Sequence, residues 1–194
     1  MSPAVRVLKP EERDRTSGVL TLAFSNDPMM RWFMPDPATF LDLFPRTLAP
    51  FAGEAYDCGT AYVDADFRGA SLWLPPGVKS DMEAMGVLMA GALEPEFLAA
   101  AAPFFEQMEA HHPKDPHWYL PVIGVDPAHQ GAGVGSALLS KALERVDADG
   151  LPAYLESSNI ANVPLYRRHG FEVLAEIQVA DSPVMYPMSR AGRG

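Results

Sequence analysis

The sequence predicts a mixed α/β fold built as one domain, and three observations carry this prediction. Short apolar runs typical of strands alternate along the chain with longer segments whose apolar residues follow helical spacing. A glycine-rich loop at residues 129–136 joins the apolar run 118–125 to an amphipathic helical segment. No linker-like stretch or internal repeat divides the 194 residues, a length that suits one domain with its own core. We therefore expect a single domain over residues 1–194.

The first third of the chain predicts strands and helices in a mixed order. Residues 5–8 alternate between apolar and polar types, which is typical of a strand. Pro10 and the acidic residues after it predict a helix that runs to residue 23, because proline and acids favour a first helical turn. The next elements are an aromatic, turn-rich segment at 24–33, a helix at 40–51 broken by Pro45 and Pro50, and strands at 61–63 and 70–74.

The rest of the chain predicts a helical insertion followed by alternating strands and helices. Residues 82–112 are rich in Ala, Met, Leu and Glu, which favour a helix. This helical insertion would form a lid, or it would only pack against the core. Pro121 lies inside the strand at 118–125, where its missing N–H indicates a bulge or splay, or else an edge strand. The remaining elements are a helix from 134 to the region 147–150, a strand at 153–155, a helix at 162–170, and strands at 171–179 and 184–188.

Composition and charge limit the classes of function. The formal net charge of −10 argues against a nucleic-acid binder, which would carry a basic face, and suits a cationic small-molecule acceptor. No apolar run approaches the roughly 20 residues of a membrane helix, and the N-terminal residues lack the apolar core of a signal peptide. Cys58 is the single cysteine, so no internal disulfide forms. We expect a cytoplasmic protein without nucleic-acid or membrane partners.

The glycine-rich loop predicts a binding site for a pyrophosphate. Glycines let the backbone turn tightly and approach an anion closely. The N-terminus of the following helix adds free N–H donors and the positive end of the helix dipole. A nucleotide-like cofactor therefore fits this loop, and a tight strand-to-helix turn without a ligand is the alternative. The loop sequence is His129-Gln130-Gly131-Ala132-Gly133-Val134-Gly135-Ser136.

Two well-known phosphate-binding loops agree poorly with this sequence. The loop of nucleoside-triphosphate enzymes needs Lys-Ser/Thr after its last glycine, and no lysine follows Gly135. The dinucleotide fingerprint nearly matches Gly131 and Gly133. However, five residues separate Val125 from Gly131, whereas that fingerprint starts where its strand ends. Too few strands follow the loop to build a doubly wound sheet.

A third loop class matches over several blocks. Gln130-x-x-Gly133-x-Gly135 resembles the Q/R-x-x-G-x-G/A loop of the GNAT superfamily of acyl-CoA-dependent N-acetyltransferases. Upstream, Val125-Asp126-Pro127 is similar to the strand end and turn of that family. Downstream, Asn162-x-Pro164-Leu165-Tyr166-x-Arg168-x-Gly170-Phe171 resembles its second signature helix. Together with His117-Trp118-Tyr119-Leu120, these blocks are similar to the puromycin N-acetyltransferase-like branch. The resemblance is strong over residues 117–175 and weak before them.

The resemblance implies a GNAT fold, with a twisted, mostly antiparallel sheet of about seven strands flanked by helices. It implies acetyl-CoA as co-substrate, no metal, and direct acetyl transfer to a primary amine. The pantetheine arm would lie along the backbone of Ile123, Gly124 and Val125, and Asn159 and Asn162 would lie near the adenosine-bearing arm. The pyrophosphate would bind the N–H groups of the loop residues Gln130, Gly131, Ala132, Gly133, Val134, Gly135 and Ser136.

The same resemblance makes Tyr166 the candidate general acid, since a phenol placed beside the sulfur can protonate a leaving thiolate. A tyrosine packed in the core is the alternative. Glu156, at a strand end beside the cofactor strand, is the first candidate for the general base that deprotonates the amine. A purely structural carboxylate is the alternative. His117 is a second candidate because the pKa of imidazole lies near neutrality.

The acceptor site is expected in the N-terminal half, with an apolar wall and one acid that attracts an amine. The acceptor is expected to be a small-molecule amine. A peptide N-acetyltransferase and a non-catalytic acyl-CoA-binding module of the same fold are the alternatives, and similar proteins indicate that a homodimer can form. Glu106, His111 and His112 would face the acceptor or simply end a solvated helix. The predicted acceptor residues are Phe24, Asp27, Met30, Trp32, Phe33 and His117.

Overall fold

The computed structural model describes residues 3–193, which form one seven-stranded sheet with helices on both faces. Met1 and Ser2, which begin the segment considered for a signal peptide, lie outside the described residues. The strands are β1 (Val5–Val7), β2 (Ala61–Asp64), β3 (Gly69–Leu74), β4 (Trp118–Val125), β5 (Ala153–Ser157), β6 (Glu172–Val173) and β7 (Tyr186–Arg190). The helices are α1 (Arg13–Phe24), α2 (Pro28–Phe33), α3 (Pro37–Ala52), α4 (Glu54–Asp57), α5 (Met82–Ala92), α6 (Pro95–His111), α7 (Val134–Asp149) and α8 (Val163–Arg168).

The strand order in space is β1-β2-β3-β4-β5-β7-β6. Within the described sheet β4 and β5 run parallel, and the other neighbouring strands run antiparallel. The predicted seven-stranded, mostly antiparallel sheet is therefore confirmed. The edge-strand alternative for the strand that contains Pro121 is wrong, because β4 lies at the centre of the sheet.

Alternate residues of the central strands face two separate cores, as strand geometry requires. Leu72 and Tyr154 pack on the face covered by α1, α2, α3 and α6. Trp73 and Leu155 pack on the opposite face against α7 and α8. Glu156 follows Leu155 and therefore lies on the same face as Tyr154. The register of β5 thus directs this carboxylate towards the N-terminal helices.

Proline does not break the third helix where the sequence predicts it. Helix α3 is continuous, with Pro45 and Pro50 inside it. A proline in a helix interior costs about 3 kcal/mol in isolation. Burial of one apolar face offsets this cost, and the buried residues of that face are Phe40, Leu43, Phe44, Leu48 and Ala52. Tertiary packing therefore overrides the local helix-breaking signal.

The turn-rich segment predicted at 24–33 contains a helix that the sequence analysis missed. The side chain of Asp27 accepts a hydrogen bond from the N–H of Met30, and Pro28 follows it in the first turn of α2. An aspartate N-cap followed by proline is a standard helix start. The Asp27-Pro28 pair, inside the segment predicted as turn-rich, therefore begins α2.

The last predicted strand pair is shorter and shifted. Of the segment predicted at 171–179, only β6 is regular strand in the described structure, with an isolated bridge between Ile177 and Met185 further on. The amide of Val179 donates to the hydroxyl of Ser182, which closes a turn there.

Residues 82–112 form two helices, α5 and α6, because Pro95 begins a second one. No helix in residues 3–193 is long and apolar enough to cross a membrane.

Candidate active site

The glycine loop has the backbone geometry of an anion cradle. Gly131 and Gly133 have φ angles of 75° and 81°, a left-handed conformation that favours glycine. A Cβ atom at either position would meet nothing within 4 Å, so the space above the loop is open. Gly133 is the N-cap of α7 and has no side chain to cap it. The first N–H groups of α7 therefore face this open space without a side-chain acceptor.

Neighbouring side chains hold the loop in place. The amide of Gln130 donates from Nε2 to the carbonyl of Val125 at 3.2 Å, which ties the loop to the end of β4. Ser136 Oγ lies 2.9 Å from His169 Nε2, which ties the first turn of α7 to the end of α8. A Cβ at Gly135 would lie 3.3 Å from Leu165 Cδ2, so this glycine allows α7 to pack closely on α8.

The central strands separate at Pro121, as the splay prediction required. β4 and β5 pair at three positions, the last being Leu120 with Leu155. The register between β3 and β4 also shifts at this point, since one residue of β3 opposes two of β4 between the Leu72 and Leu74 pairs. Beyond Leu120, β4 pairs with β3 and the described residues show no pairing with β5. Proline, which lacks an N–H, stands where the ladder ends.

A cavity of about 210 Å³ lies at this separation. Its lining includes residues of β4 from Leu120 to Ile123, together with Glu156, Ser158 and Tyr166. Its other walls are mainly apolar, and α5 and α6, formed by the predicted insertion, supply several of these apolar residues. The methionines of these walls are Met29, Met30, Met34, Met82, Met85, Met89, Met108 and Met185, and the phenylalanines are Phe24, Phe33, Phe44, Phe51, Phe104 and Phe105.

Tyr166 lies on α8 and is almost fully buried at the cavity wall. Burial raises the pKa of its hydroxyl, and the negative charge of Asp27 raises it further. The phenol is therefore protonated at neutral pH, which is the form a general acid needs. The aromatic ring packs edge-on against Phe171, with the ring centroids 6.3 Å apart.

Glu156 is held by two side chains and separates two cavities. Its Oε2 accepts a hydrogen bond from the hydroxyl of Tyr119 at 2.8 Å, and its Oε1 lies 3.5 Å from Nδ1 of His112. The carboxylate side chain is 6% exposed. Glu156 also lines a second cavity of about 650 Å³, whose wall includes His112, His117 and Lys114. Glu156 thus lines both cavities. Tyr119, His112 and His117 line only the second cavity.

Five of the six predicted acceptor residues fall into three groups. Phe24, Met30 and Phe33 line the first cavity. His117 lines the second cavity instead. Trp32 lines neither cavity; it packs on Phe33 and its Nε1 donates to Asp181 at 3.3 Å.

Asp27 has structural partners on both carboxylate oxygens. Oδ1 caps α2 through the amide of Met30, and Oδ2 accepts from Ser158 Oγ at 2.5 Å. These bonds join α2 to the end of β5. Asp27 lines neither cavity, and its expected role in attracting an amine stays a prediction. Burial raises its pKa, and the bonds from Ser158 and the α2 backbone oppose that rise.

The two asparagines predicted to contact the cofactor have different surroundings in the structure. Asn162 lines the first cavity, and its side chain does not cap α8. Asn159 Oδ1 accepts from the amide of Ala161 at 2.9 Å and caps a short 3-10 helix. The sequence analysis missed Ser158, Tyr119 and the bonding of His112 to Glu156. The alternation of β4 and β5 places Tyr119 and Glu156 on one face, a signal that was present in the sequence.

The sheet order, the splay at Pro121 and the glycine loop before α7 together define the GNAT class of acetyltransferase folds. The chain belongs to the acetyltransferase (GNAT) family, whose sequence model matches residues 28–171. This match covers the glycine loop, Glu156 and Tyr166. The likeness to the puromycin N-acetyltransferase-like branch stays a prediction.

Three known proteins illustrate the similarity. An uncharacterized N-acetyltransferase, C550.08 of Schizosaccharomyces pombe, is 32% identical over 118 residues, which cover 55% of this chain and 48% of that protein. The chain spans about half the length of the first curated relatives it matches. A Corynebacterium glutamicum structure, described as histone acetyltransferase HPA2 and related acetyltransferase, is 28% identical with a TM-score of 0.69, covering 99% of this chain and 97% of that one. Mosquito arylalkylamine N-acetyltransferase like 5b is 15% identical with a TM-score of 0.64, covers 98% of this chain and all of that one, and shares the fold.

Proposed function

We propose that the protein transfers an acetyl group from acetyl-CoA directly to the primary amine of a small molecule. The observation that carries this proposal is that Glu156 and Tyr166, a carboxylate and a protonated phenol, line one cavity at the β4–β5 separation. Membership of the acetyltransferase (GNAT) family supports acetyl transfer as the reaction class.

The residues around the splay and the loop suit acetyl-CoA. The open cradle at Gly131 and Gly133, with the uncapped N-terminus of α7, would hold the pyrophosphate. The edge of β4 that faces away from β3, from Ile123 to Val125, pairs with no residue of β5 and would hold the pantetheine arm, which carries amide groups that can pair with a strand edge. When bound, acetyl-CoA supplies an electrophilic thioester carbonyl and a thiolate leaving group.

Tyr166 and Glu156 would divide the proton chemistry. An amine is mostly protonated at neutral pH, so it must lose a proton before it attacks. Glu156 accepts this proton, because its carboxylate reaches both cavities. Tyr166 holds a proton at its hydroxyl and donates it to the departing sulfur. Tyr119 donates to the far oxygen of Glu156 and fixes the orientation of the carboxylate.

The cavity favours a small acceptor with an apolar body. Its methionine side chains are flexible and polarisable, and they adapt to irregular apolar shapes. Helices α2, α3, α5 and α6 all contribute to the wall, so a cavity of about 210 Å³ accepts a compact molecule more readily than an extended peptide. Glu156 is the acid that meets the ammonium group, in the role that the sequence analysis gave to Asp27.

Calorimetric titration of acetyl-CoA into the wild type and a Gly133→Glu variant tests the cofactor site. We expect micromolar binding by the wild type and its loss in the variant, because the new carboxylate fills the cradle and repels the pyrophosphate. Gly59→Glu is the matched control, since Gly59 also has a positive φ, of 64°, and open space, but lies outside the loop.

Acetyl transfer is then measured as CoA thiol release with apolar amines, polar amines and short peptides as acceptors. Release with apolar amines above the rate with peptides supports the proposal. Binding of acetyl-CoA without release to any acceptor would identify a non-catalytic acyl-CoA-binding module. Binding unaffected by Gly133→Glu would remove the pyrophosphate from this loop.

A further inference from the structure

Two histidines form a chain of polar contacts that ends on Glu156. Nδ1 of His117 lies 2.7 Å from the backbone carbonyl oxygen of Asp115. Nε2 of His117 lies 3.2 Å from Nε2 of His112. Nδ1 of His112 lies 3.5 Å from Oε1 of Glu156. The chain therefore runs from a backbone carbonyl through two imidazoles to the candidate general base.

The carbonyl at one end fixes the protons along this chain. A carbonyl oxygen only accepts, so Nδ1 of His117 carries a proton and, in the neutral ring, its Nε2 is an acceptor. In its neutral form, His112 must then donate from Nε2, which leaves its Nδ1 without a proton and facing Glu156. A carboxylate and a bare nitrogen cannot bond to each other without a proton between them. With both rings neutral, the chain lacks one proton, and the position of that missing proton lies between Glu156 and His112.

Packing holds both rings in the orientation that the chain needs. The ring of His112 meets Tyr119 and Tyr154 edge-on, with centroids 4.9 and 4.8 Å apart, and it meets His117 at 5.0 Å. Burial lowers the pKa of His117, although its bond to Asp115 opposes this, so the resting ring is neutral. Tyr154 packs against both rings, and the other titratable residues that line the second cavity with the pair are Lys79, Glu109, Lys114, Asp115, Tyr119 and Glu156.

The difference between the two cavities indicates in which direction a proton would move along the chain. The first cavity is lined almost entirely by apolar side chains and offers a released proton few polar groups. The side chain of Glu156 is 6% exposed, whereas that of His112 is 29% exposed. Both histidines line the larger, more polar second cavity. The chain therefore connects a buried carboxylate to a space that holds water-accessible polar groups.

We propose that His112 takes over the proton that Glu156 removes from the acceptor amine and releases it to the second cavity, with His117 as the residue that sets the tautomer of His112. This inference rests on the proposed function of Glu156. The amine N–H bond breaks and an O–H bond forms at Oε1. The proton then passes to Nδ1 of His112. The resulting imidazolium of His112 donates a hydrogen bond from Nε2 to Nε2 of His117, which stabilises its positive charge. Loss of one proton to water restores the neutral pair.

The tautomers can be read directly in the free protein by two-bond ¹H–¹⁵N NMR of the histidine rings. We expect the Nδ1–H tautomer at His117 and the Nε2–H tautomer at His112 near pH 7.5. The His112 signals should change in Glu156→Gln, while those of His111, whose Nδ1 contacts the carbonyl of Gln107, should not. The opposite tautomer at either ring overturns the proposal. This measurement needs no acetyl transfer, so it stands apart from a failure of the proposed function.

Kinetics of His112→Gln and His117→Gln test the consequence. We expect kcat to fall about tenfold or more with the KM for acetyl-CoA unchanged, and the acid side of the kcat–pH profile to shift in both variants. His111→Gln is the matched control, because it removes a neighbouring imidazole outside the chain. Thermal unfolding of each variant separates loss of rate from loss of fold. Wild-type kcat and pH profiles in stable His112→Gln protein would overturn the relay.

Discussion

At the scale of single residues, the hydroxyl of Tyr166 separates an enzyme from a binding module. Tyr166→Phe keeps the ring that packs against Phe171 and removes only the hydroxyl, which is the proposed proton donor. We expect kcat to fall roughly 100-fold with little change in the KM for acetyl-CoA, because general acid catalysis acts in the transition state. Initial rates of thiol release measure this effect. An unchanged kcat would show that the tyrosine only packs.

Asp64 provides a residue-scale prediction about stability and pH. Its fully buried carboxylate accepts from Nε and Nη2 of Arg68 at 2.7 and 2.9 Å, and it closes the turn between β2 and β3. These bonds from Arg68 lower the pKa of Asp64 despite the burial that raises it. A lowered pKa stabilises the fold above the unfolded-state value near 3.9, and this contribution disappears as pH falls through the lower folded-state value.

Asp64→Asn should therefore lower the Tm by roughly 5 °C at pH 7, and the difference from wild type should shrink below about pH 4. Thermal unfolding followed by circular dichroism at several pH values measures both effects. Asp66→Asn is the control, since Asp66 is exposed and lies 3.4 Å from the same arginine. Equal losses in the two variants, or a pH-independent difference, would contradict the assignment.

At the scale of elements, β4 performs two tasks at once. Its first residues pair with β5, and its last residues pair with β3 while leaving the other edge free. Pro121 and the register shift divide these two parts. The sequence predicted this division because proline cannot complete a ladder. It could not predict which strand lies opposite, since that depends on residues more than 30 positions away.

Gly124 tests the packing of α1 against β4. The sequence analysis assigned this glycine to the cofactor, and the structure adds a packing reason. A Cβ here would lie 2.6 Å from Cβ of Ala23 and 3.2 Å from Cδ2 of Leu20. Gly124→Ala should cost about 2 kcal/mol in the free energy of unfolding, because α1 must move away from the sheet. Urea unfolding measures it.

Gly86→Ala is the matched control for that substitution. A Cβ at Gly86, inside α5, would meet nothing within 4 Å. Alanine favours a helix interior by roughly 0.5–1 kcal/mol relative to glycine, so this variant should be unchanged or more stable. Equal stability of Gly124→Ala and wild type would show that α1 yields at no cost.

At the scale of the whole molecule, the net charge of −10 predicts how salt acts on the two substrates. A negative protein attracts a cationic amine and repels the polyanionic CoA, and salt screens both effects. Raising the salt from about 20 to 200 mM should lower kcat/KM for a cationic acceptor several-fold and lower the KM for acetyl-CoA. Initial rates at fixed pH measure this. A change of kcat/KM in the same direction for both substrates would contradict it.

Three expectations at this scale remain predictions. The cytoplasmic location and the homodimer came from cysteine usage and from the resemblance, and one chain carries no contact that bears on either. The single-domain reading of residues 1–194 is also a prediction, although the described residues share one sheet and two cores on its faces.

The sequence by itself determined the features that depend only on residues close together in the chain. Glycines in the loop, the apolar periodicity of α7 and the proline in β4 act through local backbone sterics and hydrogen bonding, so they could be recognised without the fold. Only the tertiary structure decided that α3 tolerates its prolines, that Asp27 caps a helix, and that His112 meets Glu156, 44 residues away. These outcomes depend on burial and on contacts between distant segments, and such contacts exist only once the sheet and helices have packed together.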